Sequence, residues 1–194
     1  EALFAIGGNM LLARTGAMYH DVGKIKNPFF FTENQHGKYN LHDEMSYYES
    51  SQIIINHVAD GIEICRKYHV PEQIIDFVRT HHGTRRTEYF YQMELKENPG
   101  EEVNEADFRY HGPIPFSKET AVLMMADSVE AASRSLSDKT EESISKLVDG
   151  IIDAQVKDNQ FINTDLTFRD VTVIKKVFKK KLMNIYHVRI AYPV

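Results

Sequence analysis

The chain carries a single cysteine, Cys65. One thiol excludes an internal disulfide and any cysteine-rich zinc site. Cys65 falls within the apolar pattern of Ile62, Ile64 and Tyr68 and reads as a buried, inert position. No apolar run approaches the ~18 to 20 residues needed to span a bilayer, so no membrane contact is expected of this segment itself. Basic charge is also scarce: 23 Lys and Arg against 28 Asp and Glu give a net charge of -5, with no basic stripe. Duplex DNA and RNA binding normally draw on such a stripe to neutralise phosphates. Polymeric nucleic acid is therefore not the expected partner. A small anionic ligand remains open, because a bound divalent cation reverses the local sign.

Two further absences concern the fold. No stretch alternates well enough for a central strand, and there is neither a low-complexity block nor an internal repeat. With 42% hydrophobic and 26% charged residues over 194 positions, the composition suits one compact domain spanning 1–194. No Ser, Thr, Asp or Asn precedes Glu1-Ala2-Leu3-Phe4-Ala5-Ile6, which already reads as the middle of an amphipathic helix. Truncation from a longer protein is the expectation.

What is present is helical periodicity. Leu11, Leu12, Ala13, Ala17 and Met18 form an apolar stripe running into His20-Asp21-Val22-Gly23-Lys24, with the helix ending near Gly23. A turn-rich loop follows from Asn27-Pro28 to Asn40, in which Phe29, Phe30 and Phe31 read as core plugs. From Ser46 to Tyr68 the spacing fits one or two helices, with Gly61 as a break; Pro71 suits the first turn of the next, which closes on His81-His82-Gly83. Residues 83–116 show no sustained period and several aromatics, which predicts a long loop. Ser117 caps a further helix, Thr140 or Asp138 starts another, and Thr167 with Asp170 opens the last as a capping box ending near His187. The expected fold is all-α, a compact bundle of about seven or eight helices.

Nine histidines are unusual for this length, but their spacing informs more than their number. His20-Asp21 is followed by His57 after 36 residues, by His81-His82 after 24 more, and by Asp127 after a further 45. Ligands distant in sequence converge when they project from facing helices. Imidazole and carboxylate together suit iron, manganese, nickel or zinc. Asp127 sits among Met124, Met125, Ala126 and Val129, where an unpaired buried carboxylate costs several kcal/mol unless a cation compensates it.

These residues resemble the HD superfamily of phosphohydrolases. The stretches Phe31-Thr32-Glu33-Asn34-Gln35, Ile54-Ile55-Asn56-His57-Val58, His81-His82-Gly83-Thr84 and Met125 through Arg134 are similar to the cytosolic domain of bacterial seven-transmembrane HD proteins that hydrolyse cyclic di-AMP. The resemblance implies the HD-domain fold and two divalent ions, iron or manganese. One ion would take an upstream histidine with His20, Asp21 and Asp127; the other would take Asp21, His57, His81 and His82. Asp21 then bridges the ions. Residues 1–19 contain no histidine, so six of the seven expected ligands are present. Asp21 and Lys24 would form the catalytic pair, with a hydroxide held between the ions attacking the phosphodiester.

Lys24 reads either as a surface lysine or as a phosphate ligand, and the resemblance favours the second. Arg85 and Arg86 offer a second phosphate contact or plain surface charge. His36, His42, His69, His111 and His187 fit no position of the pattern, although His36 and His111 lie in the two long loops, within reach of a substrate. The implied substrate is a cyclic dinucleotide, cyclic di-AMP giving linear pApA, at the cytoplasmic face of the bacterial inner membrane to which the full-length protein is tethered. The cyclic di-GMP branch carries Gly-Tyr-Pro after its histidine pair, whereas here Gly83-Thr84 follows His82. A mononucleotide or alarmone phosphohydrolase and a non-catalytic dinucleotide sensor are the alternatives.

Overall fold

A computed structural model of the chain describes residues 1–35 and 40–187. Among these there are eight α-helices and no strand: α1 (Ala2–Ile6), α2 (Met10–Tyr19), α3 (Tyr47–Lys67), α4 (Glu72–Thr80), α5 (Glu88–Glu97), α6 (Lys118–Arg134), α7 (Glu141–Lys157) and α8 (Phe168–Ile185). The all-α reading holds. None of these helices is long and apolar enough to cross a membrane. The chain divides into two compact units, Glu1–Ala13 with Ile114–Val194, and Arg14–Pro113.

In the first unit, α1, α6, α7 and α8 each bury a stripe in one shared core, with α7 against α6 and α8, and α1 against α6 and α8. Val122, Met125 and Val129, then Ile144, Val148 and Ile152, then Ile174 and Leu182 close on Ala2, Leu3 and Ile6. The spacing of three or four residues along each helix is what places these side chains on one face. Their starts follow the sequence: Ser117 with Thr120, Thr140 with Ser143, and Thr167 with Asp170 all form capping boxes. Gln155, fully buried, donates its amide to Ser128 Oγ at 2.9 Å and so ties α7 to α6.

The second unit is organised around α3, a single 21-residue helix opened by a Ser46–Glu49 capping box. Gly61 does not break it. A Cβ there would lie 2.8 Å from Val78 Cγ1 and 3.2 Å from the Gly23 nitrogen, so the glycine lets two neighbours approach. Cys65, Ile75 and Val78 are buried together beside it, with Val22, Ile62 and Val70 packed around them.

Four other expectations are corrected here. The predicted stripe on α2 is not a buried face: Leu11 is 75% and Met18 77% exposed, and the buried residue of the helix is Gly16. Gly16 is where the ring of Phe77 presses, at 2.2 Å from an added Cβ. The helix also stops at Tyr19, and the chain continues as a 3-10 turn over Val22–Lys26. Of the three phenylalanines only Phe31 is a core plug, at 5% exposure, while Phe29 is 65% exposed. Finally, residues 83–116 are not one loop, for they hold α5 and a 3-10 turn at Glu105–Phe108.

Candidate metal centre

Three local structures deliver the side chains. His20 and Asp21 leave the end of α2, whose last turn is continued by the His20 N–H donating to Gly16 O at 2.9 Å. His57 projects from the middle of α3, and His81 follows the last residue of α4. What sets them face to face is the contact of the 3-10 turn with α3. A Cβ on Gly23 would lie 1.8 Å from the His57 carbonyl oxygen, so only glycine lets the turn sit this close.

The result is a cluster around one carboxylate. Asp21 Oδ1 lies 3.4 Å from His57 Nε2 and 3.6 Å from His81 Nε2. Its Oδ2 lies 3.2 Å from His20 Nε2 and 2.8 Å from Lys24 Nζ. One donor atom each from Asp21, His57, His81 and His82 falls within a 4.8 Å set. His57 and His81 are almost wholly buried, at 2% and 0% exposure.

The hydrogen bonds on the far side of the rings fix the tautomers. The Nδ1 atoms of His20, His57 and His81 meet the carbonyls of Ala17, Ile54 and Val78 at 2.8, 2.5 and 2.8 Å. A carbonyl only accepts, so each Nδ1 carries the proton and each Nε2 turns inward. His57 Nε2 and His81 Nε2 then face each other at 3.1 Å. Two lone pairs at that distance repel unless positive charge lies between them. A proton or a metal ion must supply it.

Protons are disfavoured at two of the positions. Burial pushes the His81 and His82 imidazoles below the ordinary histidine value, His82 well below, and the neighbouring histidines add to the effect. Burial also opposes ionisation of Asp21, and positive charge on its neighbours is what offsets that: protons on the inward face of the His20, His57 and His81 rings would hold the carboxyl far below the usual range, and a bound cation takes the same role when the rings are neutral. Neutral imidazoles around an ionised carboxylate are what a divalent transition metal requires. The donor set fits such an ion.

A pH dependence follows for the metal-free protein. Unfolded histidines take up protons near their ordinary value of about 6.5, whereas folded His81 and His82 resist until lower pH. The unfolded state therefore binds more protons below about pH 6.5, and stability falls as pH falls. Thermal melts in chelator between pH 7.5 and 5.5 should show a declining midpoint, with a slope of up to about 1.4 kcal/mol per pH unit for each histidine. A midpoint that stays level or rises on acidification would contradict this.

His82 stacks on Tyr110, with centroids 4.2 Å apart and planes 24° from parallel. Phe31 sets its edge against His57 at 5.6 Å, so aromatic rings wall the cluster on two sides. Neither Tyr110 nor Phe31 was singled out as a site residue from sequence, because nothing in an isolated aromatic marks it as a wall.

The remaining predicted residues are placed as follows. Lys24 Nζ lies between Asp21 and Glu33, 2.6 Å from Glu33 Oε1. Arg85 is joined to the histidine segment through its backbone, its N–H donating to His82 O and its carbonyl accepting from Tyr110. Arg86 pairs with Glu88 and Glu105 and lies 4.1 Å over the Tyr91 ring. Asp127 belongs to the other unit, on α6, and is half-buried where the sequence suggests a buried position. His111 is exposed at the rim of a cavity of about 180 Å³ that has His82 in its wall. His36 lies outside the described residues.

Comparison with known proteins accounts for this arrangement. The HD domain family matches residues 3–132. The cyclic-di-AMP phosphodiesterase PgpH of Bacillus subtilis is 47% identical over 189 residues, covering 97% of this chain and 26% of that protein. The protein of the same name from Listeria monocytogenes is 44% identical over 188 residues, again 97% of this chain and 26% of the relative. The chain thus spans about a quarter of the length of these relatives. The crystal structure of the L. monocytogenes PgpH HD domain superposes with a TM-score of 0.89 at 42% identity, over 96% of this chain and 86% of that one. Its complex with cyclic-di-AMP gives 0.91 at 42% identity, over 95% and 86%. With its family match covering well over half its length and its histidine–aspartate cluster in place, the chain belongs to the HD domain family.

Proposed function

We propose that this chain is the catalytic part of a metal-dependent phosphodiesterase that opens cyclic di-AMP to linear pApA. The observation that carries the reading is the inward convergence of Asp21, His57, His81 and His82. The relatives named for this activity support the choice of substrate. Divalent ions, iron or manganese, would supply an activated water at neutral pH and offset the charge that builds on the phosphate oxygens.

The protein's own groups have separate tasks. His57, His81 and His82 would hold one ion with Asp21, and Asp21 with His20 would contribute to a second. On the family pattern Asp127 would join them at that second ion. Lys24 is assigned to a nonbridging phosphate oxygen. The larger protein would be anchored in the bacterial inner membrane with this segment on the cytoplasmic face.

Metal analysis of the purified chain, paired with turnover of cyclic di-AMP under added iron or manganese, tests the proposal. Bound transition metal and a linear dinucleotide that disappears with chelator are expected. Absence of product under both metals, or faster turnover of a mononucleotide in the same panel, would remove it.

A further inference from the structure

The segment Phe31-Thr32-Glu33 follows the metal-site turn and has no part in the ligand set, yet two of its side chains close on Lys24. Lys24 Nζ lies 2.8 Å from Asp21 Oδ2 and 2.6 Å from Glu33 Oε1. It also lies 5.0 Å above the ring centroid of Phe31, which is buried and packed against His57. An ammonium has three N–H bonds at tetrahedral angles. With one directed to each carboxylate, and the Phe31 ring limiting rotation, the direction of the third is determined.

We infer that Glu33 is a positioning residue: it fixes Lys24 so that the third N–H of the ammonium points where a substrate phosphate oxygen binds. A lysine side chain has four rotatable bonds and loses substantial entropy when immobilised. Asp21 alone leaves the head free to swing about a single contact. Glu33, held on the 3-10 turn Thr32–Asn34, supplies the second anchor before any substrate arrives. Orientation settled in advance is what lowers the cost of binding and reaction. The inference rests on the reading of Lys24 as a phosphate contact and adds the residue that makes that contact directional.

Glu33→Ala and Glu33→Gln separate geometry from charge, because the glutamine carbonyl still accepts from Lys24 while alanine does not. In the manganese-supplied chain, reductive methylation followed by mass spectrometry reads Lys24 directly, with the exposed Lys176 as internal reference. Inorganic phosphate should slow labelling of Lys24 in the wild type and in Glu33→Gln, and protect it little in Glu33→Ala. In the turnover assay, kcat/KM on cyclic di-AMP should fall about tenfold to a hundredfold in Glu33→Ala and by less than about threefold in Glu33→Gln, with bound metal unchanged in both.

Equal phosphate protection and equal turnover in Glu33→Ala would overturn the inference. So would loss of metal from Glu33→Ala, which would make the residue part of the metal site. A wild type whose Lys24 is protected by phosphate in a Glu33-dependent way, but which leaves cyclic di-AMP intact, would support the positioning role and remove the substrate reading alone.

Discussion

Replacing Asp21 with alanine is expected to abolish turnover and strip the centre of metal while leaving the protein folded. Asp21 is the carboxylate that both the His57–His81 pair and His20 face, on opposite oxygens. Its removal therefore affects both proposed ion positions at once, which no single histidine does. Changes outside the ligand shell of a metal site typically cost tenfold to a hundredfold in affinity or activity. A shared ligand should cost more, at least about a thousandfold. Folding should survive because the cores of both units, around Val148 and around Val78, do not involve this side chain. Asp21→Asn, which keeps shape and removes charge, should behave almost as badly. Metal content and turnover measured on one preparation decide the matter; more than a hundredth of wild-type activity in Asp21→Ala would refute the proposed site.

Gly23→Ala should produce the second large effect, and by a different route. The added Cβ would meet the His57 carbonyl oxygen at 1.8 Å and the Gly61 nitrogen at 2.5 Å. Both are main-chain atoms of α3, so no rotamer change relieves the clash. The turn Val22–Lys26 must lift away from the helix, carrying Lys24 with it and pulling on Asp21. Overpacking of a well-filled interior usually costs 1 to 3 kcal/mol, and a collision with rigid backbone should lie at or above the top of that range, about 3 kcal/mol. Gly61→Ala is the control. Its nearest obstacle is a methyl group of Val78 at 2.8 Å, which can shift, so a loss nearer about 1 kcal/mol is expected. Urea melts of the metal-free variants give the stabilities, and metal binding gives the functional consequence. Should Gly23→Ala melt with the wild type and keep its metal, the account of how the site is assembled is wrong.

Much of this was readable from the chain, and the failures have identifiable causes. The helix starts at Ser117 and Thr167 are local, so the capping residues themselves were enough to find them, while the start at Thr140 was left open against Asp138. The opposite holds for α5. None of its residues is buried, so the chain there has no amphipathic period for a sequence reading to detect. On α2 the apolar residues Leu11 and Met18 suggest a core face, but the surface that packs is the one bearing Gly16, which no hydrophobicity pattern marks. Gly61 looked like a helix break for a related reason. Glycine inside a helix is unfavourable unless something must come close, and what comes close is a turn 38 residues away in sequence.

The amino-acid sequence by itself determined the helical class and most helix starts, which depend on residue type and periodicity and need no knowledge of distant neighbours. Its resemblance to a known family is what marked His20, Asp21, His57, His81, His82 and Asp127 as candidate donors. Tertiary structure alone decided that the Nε2 atoms of His57 and His81 meet at 3.1 Å, that Gly23 and Gly61 bring the 3-10 turn onto α3, and that Lys24 is anchored by Glu33 as well as Asp21. Each of these is a distance between separate segments of the chain. Such distances are set by how closely backbones pack, and a one-dimensional pattern carries no measure of that approach.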